Sequence, residues 1–193
     1  MRCAPNAVAI TLQQESASVG GAPITREGNA LEDARAANCA LAAGALRSSG
    51  TLSAQVTGCS MLPSLWPGDL LLISRREVDQ ILPGDIVLFA RSGRLIIHRV
   101  VIRTVECEST HLTTRGDAVA AEDLRLAASE VLGRVSFILR GRHWIEPSRQ
   151  LSFGARVFAR LVCHSTRVAS VLVRLRMLWQ RAGRGKEEIL CRR

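Results

Sequence analysis

Short β-type runs separated by glycine and proline dominate the middle of this 193-residue chain. Between residues 51 and 141 the runs are TLSAQVTG, DLLLISR, DIVLFAR, RLIIHRVVIRTVE, THLTTRGD and EVLGRVSFILRG. The gaps between them are too short for the helical crossovers that parallel strands need. The sequence therefore predicts a mainly β fold with a single compact core over this region.

Two of these runs are introduced by the same tripeptide, Pro-Gly-Asp, at residues 67–69 and 83–85. Proline presets the first central position of a tight turn, and glycine tolerates the positive φ of the second. The repeat predicts two equivalent turns, each leading into a strand.

The segments on either side of the β core differ from it in composition. Residues 1–29 are polar and aperiodic, which is typical of a loose extension. Residues 30–50 are rich in Ala and Leu, with acids early and Arg47 late, and this pattern predicts a helix. The predicted organisation is an extension with one helix (1–50), a β-rich core (51–145) and a basic helical tail (146–193).

Arginine recurs every seven residues within the segment 151–182. In an α-helix this spacing places the guanidinium groups in one slowly drifting stripe, while the other faces are largely apolar. Such a helix can lie in an anionic membrane interface, or it can pack on the core and show its arginines to water. The stripe consists of Arg160, Arg167, Arg174 and Arg181.

The formal charge is +9, and Lys186 is the single lysine among 26 basic residues. An arginine bias also follows from high-GC codon usage, and charge alone leaves anionic lipid, nucleic acid and acidic proteins open as partners.

The six cysteines form no C-x-x-C pair, so neither a zinc site nor a disulfide framework is expected. We expect no cofactor and no nucleic-acid partner. Because no uncharged apolar stretch of about 18 residues occurs, we expect a peripheral membrane or cytoplasmic location.

Ser60, in GCSMLP, is a candidate nucleophile, and a serine hydroxyl needs a base. The usual bases are histidine, a desolvated lysine or an N-terminal amine. Lys186 lies in the charged tail, outside the β core, which leaves histidine. His98 stands inside the apolar run RLIIHRVVI and is the expected base, although a lone histidine in a strand is more often structural.

Two aspartates follow His98 along the chain. Asp117 comes after a glycine in TTRGDA, and Asp123 lies further on in AAEDLRL. A carboxylate beside a histidine base fixes its tautomer and stabilises the imidazolium. Each aspartate taken alone is more typical of a turn or a cap. The ordered set of serine, histidine and acid is what indicates nucleophilic catalysis.

Five sequence boxes follow one another along the chain, and these are GCSMLPSLWPGDLLLI, PGDIVLF, LIIHRVV, LTTRGDAVAAED and VLGRV. In this order they resemble the S24/S26 serine peptidase group, and within it the type I signal peptidases of the endoplasmic-reticulum and SipW-like kind, which use histidine instead of lysine. The resemblance covers roughly residues 52–136. It implies a compact β-rich core of the signal-peptidase and LexA type with flanking N- and C-terminal helices. It also implies a shallow groove in which an extended peptide pairs with strand edges.

The same resemblance implies roles for individual residues. Ser60 would be the nucleophile and its backbone N–H an oxyanion donor. His98 would be the general base, and Asp117, with Asp123 as a second candidate, would orient the base or shape the site. The positions that match the substrate-binding floor beside the nucleophile are Met61, Pro63 and Leu65.

Three functions are open at this point. The leading hypothesis is a serine endopeptidase of signal-peptidase type, which cuts an extended segment with small residues near the scissile bond. The second is self-cleavage, as in the soluble repressor and mutagenesis proteins of the group, which pair serine with lysine. The Ala43-Gly44 bond lies only 16 residues before Ser60, so we expect it to be too close to fold back. The third is a non-catalytic module that binds peptides or membranes.

Overall fold

The computed structural model describes residues 9–12, 26–106 and 109–164. Within these ranges the chain forms eight strands, two α-helices and two short 3₁₀ helices. The helices are α1 (Arg26–Ser49) and α2 (Phe153–His164), with 3₁₀ helices at Val78–Gln80 and Ala128–Glu130. The strands are β1 (Ala9–Leu12), β2 (Thr51–Val56), β3 (Leu70–Ser74), β4 (Ile86–Arg91), β5 (Arg94–Glu106), β6 (Ser109–Arg115), β7 (Val131–Arg140) and β8 (His143–Ile145).

All of these strands belong to one sheet with the order β1-β2-β3-β7-β4-β5-β6, and β8 pairs with β7. The pairs are antiparallel except for β1 with β2, which run parallel. The predicted mainly β fold is therefore confirmed. The strand that carries His98, β5, lies between β4 and β6 and is hydrogen-bonded on both edges.

The N-terminal segment contains more regular structure than its composition indicates. Residues 9–12, expected to be loose, pair with residues 53–56 of β2, and α1 begins at Arg26, before the expected start at residue 30. A four-residue edge strand takes its hydrogen bonds from a neighbour distant in sequence, so local periodicity does not reveal it. The three-residue β8 pairs with the adjacent strand β7 and escapes prediction because it is too short to show an alternating pattern.

Both Pro-Gly-Asp turns adopt the predicted geometry. Gly68 and Gly84 have φ of 92° and 94°. The N–H of Asp69 and that of Asp85 each donate to the carbonyl three residues earlier, at 3.0 Å. Each aspartate carboxylate also accepts the N–H of that same earlier residue, at 2.9 and 3.0 Å. The repeat in sequence is thus a repeat in structure.

These two aspartates are buried, and arginines from the far end of the core neutralise them. Asp69 is 1% exposed and pairs with Arg140 at 2.6 Å. Asp85 is 4% exposed and pairs with Arg149 at 2.9 Å and with Arg134 at 3.5 Å. Because Arg149 lies beyond β8, its ion pair with Asp85 crosses the predicted boundary between residues 145 and 146.

The apolar core lies on both faces of β4. Ile86 and Leu88 point into one cluster and Val87 and Phe89 into another, as the alternation of a strand requires. The first cluster also contains Ala42 and Leu46 of α1, which are 0% and 1% exposed. Thus α1, the helix predicted within the N-terminal extension of residues 1–50, packs on the β core.

The predicted helix over 151–182 begins as α2. Its remainder, residues 165–182, lies outside the described residues. Val162 of α2 packs in one apolar cluster with Leu62, and the ring of Phe158 lies 6.1 Å from that of Trp66. The helix therefore covers the loop that carries Ser60. Among the helices that the structure describes, none is long and apolar enough to cross a membrane.

Candidate active site

Ser60 lies in the loop between β2 and β3, where Gly58 and Pro63 interrupt the strand pattern. Its backbone carbonyl accepts a hydrogen bond from the N–H of Ala118 at 2.8 Å. The loop is thereby fastened to the segment that follows β6. This contact brings together parts of the chain that are nearly 60 residues apart in sequence.

His98 is held in the middle of the sheet with its ring directed at the serine. It lies opposite Val87 of β4 and is 8% exposed, and its ring makes an edge contact with Phe89 at 6.2 Å. Its Nε2 lies 3.0 Å from Ser60 Oγ. The two residues that the sequence singled out are therefore within hydrogen-bond distance.

Asp123 occupies the other side of the imidazole ring. Its Oδ2 lies 2.5 Å from His98 Nδ1 and accepts a second hydrogen bond from Thr114 Oγ1 at 2.6 Å. The Asp123 N–H donates to the Thr114 carbonyl at 2.8 Å, which fixes the backbone as well. Thr114 is fully buried in β6. Serine, histidine and aspartate thus form one continuous hydrogen-bonded row.

The environment of Asp123 keeps its carboxyl group ionised. Burial raises the pKa of this carboxyl. Hydrogen bonds from His98 and Thr114, together with the positive charge of Arg91, lower the pKa by more than burial raises it, so the pKa of Asp123 lies below its usual value. An ionised carboxylate only accepts hydrogen bonds, so the proton between the two groups belongs to His98 Nδ1. Nε2 of the neutral ring is then the acceptor that faces the Ser60 hydroxyl. This arrangement is able to remove a proton from a serine.

Asp117, expected to support His98, lies elsewhere. Its carboxylate makes a two-pronged ion pair with Arg99 at 2.8 and 2.9 Å and accepts a hydrogen bond from Ser64 Oγ at 2.5 Å. Arg99 and His98 are neighbours in β5, so their side chains leave the strand on opposite faces. The structure therefore corrects the expectation: Asp123 faces the base, and Asp117 ties the serine loop to β5 through Ser64 and Arg99.

Arg91, at the end of β4, holds the loop on which Asp123 lies. Its guanidinium donates to the carbonyls of Leu124 and Arg125 at 2.9 and 2.6 Å. It also pairs with both carboxylate oxygens of Glu130, at 2.8 and 2.9 Å. Sequence reasoning missed this residue, because an arginine at a strand end carries no distinguishing local pattern.

Gly116 is a second position that sequence reasoning missed. A Cβ at this residue would lie 2.8 Å from the Ser60 carbonyl oxygen and 3.1 Å from His98 Nε2. The backbone after β6 therefore approaches the serine and histidine more closely than a side chain would permit. The available sequence signal was the glycine directly before Asp117 in TTRGDA.

A small apolar pocket adjoins the serine loop. Its free volume is about 10 Å³, which is roughly the space that one water molecule occupies. Met61 and Leu65, both predicted to form the floor, are in its lining. Pro63, the third predicted floor residue, follows a cis peptide bond and is not among the lining residues. The lining consists of Val56, Thr57, Gly58, Met61, Leu65, Leu95 and Ile97.

Cys59, directly before the serine, has the wrong environment for a rival nucleophile. Burial raises the pKa of its thiol, and the thiolate is the reactive form of cysteine. Its neighbours in the apolar cluster include Leu62 and Val162. At neutral pH the protonated thiol is therefore favoured, and Ser60 is the better candidate.

Residues 15–136 match the family described as Peptidase S24-like. The matched segment covers more than half of the chain and contains Ser60, His98, Asp117 and Asp123. It agrees with the β-rich core described above and indicates a serine peptidase or LexA-type fold, without distinguishing the signal-peptidase type. The chain belongs to the Peptidase S24-like family.

Proposed function

We propose that this protein is a serine endopeptidase in which Ser60 is the nucleophile, His98 the general base and Asp123 the acid that orients the base. The observation that supports it is the continuous row from Ser60 Oγ through both imidazole nitrogens to Asp123 Oδ2, with distances of 3.0 and 2.5 Å. Such a row is recognised by geometry, whatever the fold that carries it.

In the proposed reaction, Ser60 Oγ attacks the scissile carbonyl carbon while His98 Nε2 takes the hydroxyl proton. Asp123 stabilises the imidazolium that results. Nε2 then gives the proton to the leaving amine, which departs as the C–N bond breaks. Water hydrolyses the acyl-serine in the same way, with His98 again removing a proton.

The substrate that we propose is an extended peptide segment with small side chains at the cleavage point, as for an enzyme of signal-peptidase type. The small pocket beside Ser60 supports this substrate, because its volume of about 10 Å³ is close to the least that holds one water molecule, which favours small side chains. A larger cleft of about 650 Å³ lies between α1, β6 and the 3₁₀ helices, and no residue of the serine loop is in its lining. The small pocket is lined by Gly58 and Met61, on either side of Ser60 in the chain.

The test compares cleavage of Ala-rich precursor peptides by the wild type and by the Ser60→Ala and His98→Ala variants. Removing the nucleophile or the base should lower kcat by at least about 10³-fold. Cys59→Ala is the matched control and should retain activity. Equal cleavage by all four proteins would contradict the proposal and would favour the non-catalytic binding module instead.

Self-cleavage is the second candidate, and the pairing of β1 with β2 favours it. Because the pair is parallel, β1 runs in the same direction as the strand that leads to Ser60, so the chain's own N-terminal segment reaches the edge where a substrate would pair. The Ala43-Gly44 bond is a poor target, since it lies inside α1 and a helical bond is not extended.

Mass spectrometry of aged protein separates the two candidates. A self-cleaving chain should lose a piece from within its first 25 residues, and Ser60→Ala should stay intact under the same conditions. If the wild type also keeps its full mass, self-cleavage is excluded and only cleavage of a separate substrate remains.

A further inference from the structure

The helix α2 has an inner face that packs on the serine loop. Ala159 and Val162 are 4% and 5% exposed, and Phe158 stacks against Trp66 at 6.1 Å. Val162 shares an apolar cluster with Leu62, two residues after Ser60. The inner face is therefore already occupied by the core.

The outer face of α2 carries a stripe of large apolar side chains. Phe153, Val157 and Leu161 recur at intervals of four residues, which places them on one side of the helix. They are 83%, 44% and 62% exposed. Arg156 and Arg160, both exposed, lie along the edge of this stripe at 100° per residue. We call these five residues the outer stripe.

We infer that the outer stripe docks on an anionic membrane surface. An apolar strip edged by arginines is the pattern by which an interfacial helix inserts its side chains between lipids and holds acidic headgroups. In sequence, residues 147–186 contain nine basic residues and no Asp or Glu. Both charged members of the outer stripe, Arg156 and Arg160, are cationic and exposed, and they are complementary to acidic lipid.

The same charge argues against a second copy of the chain as the occupant. Each molecule carries a formal charge of +9, and two outer stripes brought together would place arginine against arginine. Since the inner face of α2 rests on the loop of Ser60, docking would hold that loop at the membrane surface. The inference goes beyond the proposed function and does not depend on catalysis.

Vesicle sedimentation of the full chain tests whether the outer stripe docks on an acidic membrane surface. The probes are vesicles of phosphatidylcholine alone and of equal parts phosphatidylcholine and phosphatidylglycerol. Wild type should sediment with the acidic vesicles and stay in solution with the neutral ones. The double variant Phe153→Ser, Leu161→Ser should weaken binding to acidic vesicles by about tenfold or more, because the two most exposed apolar members of the stripe no longer insert.

The control replaces exposed apolar residues elsewhere. Leu41 and Val105 are 59% and 60% exposed, comparable with Leu161, and the double variant Leu41→Ser, Val105→Ser should bind like the wild type. Ser60→Ala should also bind like the wild type, so that a failure of docking is distinguishable from a failure of catalysis.

Three results would overturn the inference. The first is no sedimentation of the wild type with acidic vesicles. The second is equal binding by the wild type and the stripe variant, which would assign the binding to another part of the chain. The third is a concentration-dependent dimer in light scattering that the stripe variant abolishes, which would assign the outer stripe to a second copy.

Discussion

Asp117 and Asp123 are close in sequence but act on opposite faces of β5. Asp117 binds Arg99 and is 3% exposed at its side chain. Asp123 binds His98. Because the two partners are consecutive strand residues, each carboxylate affects the site by a separate route. Asp117 acts through the Ser64 side chain of the serine loop, and Asp123 acts through the imidazole of His98.

Substituting each aspartate by asparagine should separate these routes. We expect Asp123→Asn to lower kcat by about 10²–10⁴-fold, since an amide no longer stabilises the imidazolium or the required tautomer. Asp117→Asn should instead lower the free energy of unfolding by about 3 kcal/mol, because the buried Arg99 loses its partner. Peptide cleavage and urea unfolding measure the two effects. A similar loss of kcat and a similar loss of stability in both variants would contradict this division.

Gly116 gives a second prediction at the residue scale. Gly116→Ala should displace the Ser60 carbonyl and the His98 ring, which a Cβ would approach to 2.8 and 3.1 Å. We expect kcat to fall on the order of 10²-fold and the free energy of unfolding to fall by about 1–3 kcal/mol.

Gly44→Ala is the matched control for Gly116→Ala. A Cβ at Gly44 meets nothing within 4 Å, and the residue lies inside α1, so alanine should stabilise the helix by up to about 1 kcal/mol. Unchanged activity in both variants would show that the close approach at Gly116 does not control the site.

At the scale of elements, the loop from β6 to β7 depends on the end of β4. Arg91 binds two carbonyls of that loop and the carboxylate of Glu130, whose pKa the hydrogen bond from Arg91 lowers. Arg91→Lys keeps the charge but loses the planar fork. We expect kcat to fall roughly 10-fold, with faster amide hydrogen exchange at residues 120–126.

Arg125→Lys is the control within the same loop. The Arg125 side chain pairs with Glu106 at an exposed position, and exposed pairs contribute little to stability. Its activity and exchange rates should match the wild type. If Arg91→Lys also matched the wild type, Arg91 would not be positioning Asp123.

Most strands were predictable because they are short runs rich in apolar and β-branched residues that are bounded by Gly or Pro. The predicted run at residues 94–106 coincides with β5 (Arg94–Glu106). The pairing of β1 with β2 was not predictable, because edge pairing depends on a partner 44 residues away. Register shifts within β7 and β5 are likewise set by tertiary packing, which no local pattern encodes.

At the scale of the whole molecule, acid should unfold the protein partly through its site. The pKa values of Asp123 and Glu130 lie below their usual values, so both groups stabilise the fold when ionised. That contribution is complete above their unfolded pKa values, about 4, and is lost as the pH falls through the lower folded values. Urea unfolding between about pH 7 and about pH 3 should show stability declining below about pH 4, with a shallower decline in Asp123→Asn. Parallel curves for the two proteins would contradict this linkage.

The residues of the candidate site were predictable, but their hydrogen-bond partners were not. Ser60 and His98 each stand in a recognisable local pattern, and the lack of a lysine in the core pointed to histidine. Which aspartate faces the ring depends on the path of residues 116–123 across the sheet. That path is set by the hydrogen bonds of Thr114 to Asp123 and of Arg91 to Leu124. Local sequence patterns do not reveal contacts between residues so far apart in the chain.

The two buried Pro-Gly-Asp carboxylates determine the smallest segment that can fold. The family match ends at residue 136, but Asp69 relies on Arg140, and Asp85 has its shorter ion pair with Arg149. A chain cut after residue 136 would keep the proposed catalytic residues but lose Arg140 and Arg149, and breaking a buried ion pair costs about 3–5 kcal/mol. Asp85 would retain only its longer contact with Arg134, at 3.5 Å. We expect residues 26–164 to melt cooperatively by circular dichroism and residues 26–136 to remain unfolded, so we expect the folding unit to be longer than the segment that the family model matches.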